Sequence, residues 1–184
     1  MLSLIKHAAN YSHKDLNLSL AYLSLAHENA LKTENYKDLF DIQRETGFVY
    51  EENNQLENSL ANFHEALKTA ERLNNQILKI TIYTDIAILN EKLGEYAIAK
   101  NYHVKSIKIA QDVGDLETVE NAYQGLGSLY ERVGDYDKAI EYYFQSLKIA
   151  ENRNSQSGVI ITLQSIANTY NPVSYTHLTL PTKA

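Results

Sequence analysis

Apolar and small residues recur along this chain at helical spacing. Tyr123, Leu126, Gly127 and Tyr130 stand at i, i+3, i+4 and i+7, which places them on one face of an α-helix. Ala139, Tyr143, Ser146 and Leu147 continue the period on a second helix. Between the two lies Gly134-Asp135. Glycine accepts the left-handed conformation that ends one helix, and Asp135 can cap the next. Gly94-Glu95 holds the same place one unit earlier, and Asn74-Asn75, Gly114-Asp115 and Asn154-Ser155 mark the boundaries between units by the same logic.

The pattern repeats. LNLSLAYLSLAHENA (16–30), LENSLANFHEALKTA (56–70), YAIAKNYHVKSIKIA (96–110) and YDKAIEYYFQSLKIA (136–150) superpose with a constant step of forty residues and no gap. Ala30, Ala70, Ala110 and Ala150 fall in register. So do Ser19, Ser59, Ala99 and Ala139, and again Ala26, Ala66, Ser106 and Ser146. In the intervening helices Gly47, Ala87, Gly127 and Ala167 share one position. Two helices that cross closely need a place without a bulky side chain, so a leucine at Gly127 is expected to overpack by roughly 1–3 kcal/mol. The expected fold class is all-α: an α-solenoid of antiparallel helix pairs. The units run about 1–34, 35–74, 75–114 and 115–154, with a half unit at 155–171.

The stretch AYQGLGSLYERVGDYDKAIEYYFQSLKIA (122–150) resembles a tetratricopeptide repeat. Leu126-Gly127, Tyr130, Gly134, Tyr136, Ala139, Tyr143 and Leu147 stand at that family's signature spacing. The period of forty departs from the family's usual thirty-four and is similar to the longer-helix variant of kinesin light chains and many bacterial regulatory proteins. The proline that often closes a unit is absent, with Glu151 in its place, and Lys6 and His7 occupy the apolar and small positions of the first unit. That unit is either an N-terminal cap or damaged. The resemblance covers about residues 1–171 and implies a superhelix of helix pairs.

The chain closes differently, on NPVSYTHLTLPTKA. Val173 to Leu180 alternate apolar and polar residues as a half-buried strand would, and both prolines fall here. A lone strand has no sheet to satisfy its backbone groups. The text VSYTHLTLPT resembles the translation of a sequencing-library adapter, which implies that residues 172–184 are a non-native, disordered tail. The fifth first helix is expected from about Ser155 to Tyr170. Its stripe of Val159, Leu163, Ile166 and Tyr170 is left without a following helix, predicting fraying or self-association there.

Composition narrows the chemistry. Net charge is −6, which disfavours nucleic acid, since such binding needs a basic face. Cysteine is absent, which removes disulfides, thiolate catalysis and cysteine zinc sites. No run reaches the ~18 apolar residues of a membrane span, and no signal peptide is visible at the N-terminus. The expected location is cytoplasmic, or that of a periplasmic sensor arm if the N-terminus is incomplete. The histidines at 7, 13, 27, 64, 103 and 177 show no metal-ligand spacing. His103 aligns with the aromatic Phe63 and Tyr143, so it is expected in the core. No nucleotide-binding or nucleophile motif is present. No catalytic residue, cofactor or metal is expected.

The resemblance implies a groove lined by the first helix of each unit. By register it presents Asp41, Arg44, Glu45 and Phe48, then Thr81, Thr84, Asp85 and Ile88, then Asn121, Gln124 and Ser128, and finally Gln164 and Asn168. Asn and Gln carry donors and acceptors that can hold an extended peptide backbone. Phe48 and Ile88 are expected to share an apolar pocket. The lysine and asparagine of the family's carboxylate clamp are replaced by Arg44, Thr84 and Gln124, so that function is not implied. The expectation is a non-catalytic scaffold for a protein or peptide, as the sensing arm of a larger bacterial regulator. A self-assembly module without a peptide ligand is the alternative.

Overall fold

The computed structural model describes residues 2–12 and 15–176, the first two and last six of these as backbone only. Among them are nine helices and no strand: α1 (Leu2–Tyr11), α2 (Leu16–Lys32), α3 (Tyr36–Glu52), α4 (Leu56–Arg72), α5 (Gln76–Leu93), α6 (Tyr96–Val113), α7 (Leu116–Arg132), α8 (Tyr136–Asn152) and α9 (Gln156–Thr176). The chain divides into two compact units, residues 1–95 and 96–184. The first holds α1 to α5 and the second α6 to α9.

Punctuation sets the helix lengths. Residues 34, 54, 74, 94, 114, 134 and 154 all have positive φ, one every twenty residues. Three are glycine and three asparagine, the types that tolerate this conformation best; Glu34, at φ 50°, is the exception. The loops are two residues long, so one residue does two jobs. The Asp135 backbone N–H donates to Tyr130 O at 2.9 Å, closing α7, while its side chain accepts from Lys138 N at 3.3 Å, opening α8. Asp115 works the same way between Ala110 O and Thr118 N. Asn35 and Asn75 cap α3 and α5, whereas Gln55 makes no side-chain cap.

Packing follows the register. In the first unit Leu23, Ala26, Ala30, Leu39, Ile42 and Val49 form a buried cluster with Ala8, flanked by Leu4, Ile5 and Leu20. The first helix pair is therefore packed and not degenerate. Ala8 fills the buried small place, one residue on from His7, which stays exposed beside Tyr22. A Cβ on Gly47 would sit 2.3 Å from the Phe63 ring, and one on Gly127 2.4 Å from Tyr143. Glycine is required at both because an aromatic ring of the next helix occupies the site. His103 of α6 is buried too, but it meets Gly125 of the following helix α7, so here the ring comes from the helix before the glycine.

One expectation needs correction. The helix that begins the fifth unit does not stop at Tyr170 but runs to Thr176, so the first part of the alternating stretch is helical. A helix satisfies its own backbone groups; a strand there would need a partner edge, and none exists among the described residues. Residues 177–184, which carry the rest of the adapter-like text, lie outside the described residues.

Candidate functional site

In the first unit the groove face is built from α3 and α5. Arg44, on α3, forks onto Asp85, on α5. Its Nε donates to Oδ2 and its Nη2 to Oδ1, the latter at 3.2 Å. The Arg44 side chain is 35% exposed and that of Asp85 10%. Phe48 lies one turn along, its ring centroid 4.8 Å from the Arg44 guanidinium carbon and 5.2 Å, edge-on, from Phe63. The guanidinium thus lies over the Phe48 ring while its fork of N–H groups holds the Asp85 carboxylate. Burial disfavours the Arg44 charge, but the Asp85 hydrogen bond and charge outweigh it and hold the guanidinium above its ordinary value. Burial likewise pushes up the Asp85 carboxyl, against the pull of Arg44 and with help from Glu51.

Two further acids flank the pair. Asp41 is raised above its ordinary value chiefly by burial, with Lys37 opposing and Asp38 reinforcing. Glu45 is raised by burial and then by the Glu52 charge, Arg44 opposing. Glu51 accepts from Lys92 across the same two helices. Thr81 and Thr84 return their hydroxyls to Ile77 O and Ile80 O, each at 3.0 Å, which uses them on their own helix. Ile88 stays exposed, while Phe48 packs on Phe63.

In the second unit the groove face belongs to α7 and α9. The Gln124 amide donates to Ser165 Oγ at 2.7 Å and its carbonyl accepts from Thr162 Oγ1 at 3.2 Å. Beneath it the buried Glu120 is met by Arg153, which also donates to Glu117 at 2.8 Å. Glu131 accepts from the Tyr143 hydroxyl at 2.8 Å and from Thr169 at 3.0 Å. Glu120, Gln124, Ser146 and Thr162 help line a cavity of about 40 Å³, large enough for one or two waters. Asn121, Gln164 and Asn168 are exposed and Ser128 is half-buried.

The structure therefore joins Arg44, Phe48 and Asp85 into one cluster, and ties Gln124 to the facing helix. Asp41, Asn121, Gln164 and Asn168 remain on the open face. The partners Glu51–Lys92, Ser165, Thr162 and the Glu120–Arg153 pair were not singled out from sequence. One signal was available. Arg44–Asp85, Glu51–Lys92 and Gln124–Ser165 are all 41 residues apart, one more than the repeat step. Among the described residues no group of three His, Asp or Glu is placed to hold a metal ion, and no helix is long and apolar enough to cross a membrane.

The tetratricopeptide repeat family model matches residues 38–112 and again 78–152, together more than half of the chain. The chain belongs to the tetratricopeptide repeat family. Curated protein sequences give no match. Among solved structures it resembles the signal transduction ATPase with numerous domains of Pyrococcus horikoshii, which has a tetratricopeptide repeat sensor. The TM-score is 0.79 at 18% identity, covering 94% of this chain and 26% of that one. Aspartyl phosphate phosphatase F of Bacillus subtilis gives a TM-score of 0.76 at 17% identity, covering 95% and 49%. A Rap protein complexed with Competence and Sporulation Factor gives 0.73 at 21% identity, covering 95% and 53%. This chain thus spans about a quarter to a half of the length of these proteins, and at such identities the likeness is one of fold.

Proposed function

We propose that the chain is a non-catalytic scaffold that binds a protein or an extended peptide along the first-helix face. The observation that carries this reading is the same division of labour on the first-helix face of each unit taken by itself. Arg44–Asp85 and Gln124–Ser165 fix side chains between neighbouring first helices, while Asp41, Asn121, Gln164 and Asn168 stay open. A surface held rigid by some polar groups and presenting others suits peptide capture, because less ordering is needed on binding. The sensor named in one similar structure and the complex named in another accord with it.

A displayed peptide library selected on the chain tests the reading. Selected peptides should lose at least about tenfold in affinity on Asp41→Arg or Asn168→Arg, with sedimentation unchanged. Variants that leave binding intact but alter sedimentation would instead show an assembly module.

We also read the chain as part of a larger bacterial regulatory or signalling protein, with residues 172–184 as adapter-derived text. Sequencing the source DNA across codon 171 decides it. An open frame running on into another helix and an output domain is the expected result; a frame that ends in VSYTHLTLPTKA overturns it.

A further inference from the structure

Position 62 breaks the repeat. Tyr22, Asn62, Tyr102 and Tyr142 share one place at the forty-residue step. On α8 the Tyr142 ring stacks on Tyr130 of α7, with centroids 5.4 Å and planes 12° apart, and on Tyr123 at 6.2 Å. On α2 the Tyr22 ring stacks on Tyr11 of α1 at 6.3 Å. Beside α4 one half of such a stack is present, since Tyr50 of α3 stands in register with Tyr130. The other half is not, because residue 62 is asparagine.

A cavity of about 280 Å³ lies at this place, bounded by α2, α3 and α4 of the first unit. Leu20, Leu23, His27, Thr46, Tyr50 and Asn62 help to line it. Leu23 is buried and the other five are half-buried, so the cavity is walled by protein and open to solvent. An apolar cavity of about 150 Å³ is enough to hold benzene, so there is room here for one substituted ring. The lining suits a phenol. Leu20, Leu23 and Tyr50 give it aliphatic and aromatic surface. Thr46 Oγ1 donates to Ile42 O at 2.7 Å and Asn62 Nδ2 to Asn58 O at 2.8 Å. Their protons are thus used on their own helices, while the Asn62 amide oxygen can accept from a phenol O–H. None of the described residues that line the cavity is Asp, Glu, Lys or Arg. A free aromatic amino acid would bring charges that nothing in the lining answers; a tyrosine within a peptide brings none.

We infer that this cavity is a binding site for the tyrosine side chain of a protein or peptide partner, seated on Tyr50 as Tyr142 is seated on Tyr130. Thr46 and Tyr50 stand two residues on from the groove residues Arg44 and Phe48, about 200° round α3. The site therefore faces away from the groove and does not depend on what the groove binds.

The test is an NMR titration of the full chain with N-acetyltyrosinamide, an uncharged stand-in for tyrosine within a peptide. Amide signals around Leu20, Leu23, Thr46, Tyr50 and Asn62 should shift saturably, with a dissociation constant on the order of a millimolar. Asn62→Tyr supplies the ring from within the chain, as Tyr142 does on α8. It should weaken binding about tenfold or more while raising Tm by a few degrees. Thr46→Leu, which puts at that place the residue type of Leu126, narrows the same cavity and should weaken binding in the same direction. Asp41→Arg, on the groove face, should leave this binding unchanged, which separates failure of the groove reading from failure of this site. Absence of shifts at these positions overturns the inference, as does binding that survives Asn62→Tyr. Free tyrosine binding as tightly as the amide also overturns it, since the ligand would then be a small amino acid and not a partner's side chain.

Discussion

Arg44–Asp85 in the first unit and Gln124–Ser165 in the second join neighbouring first helices at the same 41-residue step, with opposite chemistry. In the first unit the charge is at the groove and the interior beside it is apolar, with Phe40 and Ile80 buried. In the second the groove bridge is neutral and the charge is inside: Glu120 stands in register with Phe40 and Ile80 yet is equally buried. Arg153 answers it, at the place where the preceding repeats have Leu73 and Val113. Gly158 makes room, since a Cβ there would lie 2.0 Å from Glu120 Oε1. Repeat geometry decides which positions meet; the residues there decide whether the meeting is a surface clasp or an interior lock.

The largest expected effect breaks the lock. Arg153→Ala leaves Glu120 buried without its cation and should cost about 3–5 kcal/mol in urea unfolding. Glu120→Ile with Arg153→Val, the residues of the preceding register, should be near neutral or stabilising. A loss under about 1 kcal/mol for Arg153→Ala would show that Glu120 is not desolvated.

Next comes the contrast between a filled hole and an open one. Gly127→Leu should destabilise by roughly 1–3 kcal/mol, because Tyr143 is held by Glu131 and cannot give way. Ala167→Leu, at the same register, should be within about 0.5 kcal/mol of the parent. Equal thermal shifts would remove the distinction.

The clasp is worth less. Asp85→Ala should cost only about 1 kcal/mol, since Arg44 keeps access to water. Loss comparable to Arg153→Ala would erase the difference between the units.

The smallest effect is one of pH. Asp41 and Glu45 are raised in the folded state, so the folded chain binds their protons more readily than the unfolded chain. Stability should therefore increase as pH falls from neutral through the raised values, and level off below the ordinary carboxylate range. Asp115 runs the other way. Its hydrogen bond from Thr118 lowers it, so its contribution is present at neutral pH and is lost as pH falls below that range. Denaturant midpoints across mild acid should rise for the parent chain and rise less for Glu45→Gln. Equal slopes would dismiss the Glu45 contribution.

The sequence by itself determined what is local. Gly94, Gly114, Gly134, Asn74 and Asn154 stop helices because φ at one residue depends on its own side chain, and Asp135 or Asn75 starts the next because a cap reaches three residues. The forty-residue period and the small residues under the aromatic rings were legible for the same reason. Glu34 was not, being held left-handed by its place in the series and against its type. The tertiary structure alone decided the stagger between neighbouring repeats. That stagger pairs position 44 with 85 and not 84, and it turns Glu120 inward onto Arg153. Whether Leu163 meets a partner or water was also decided there. Those outcomes depend on how one helix slides past another, which is set by the summed packing of both helices and is written at no single position of the chain.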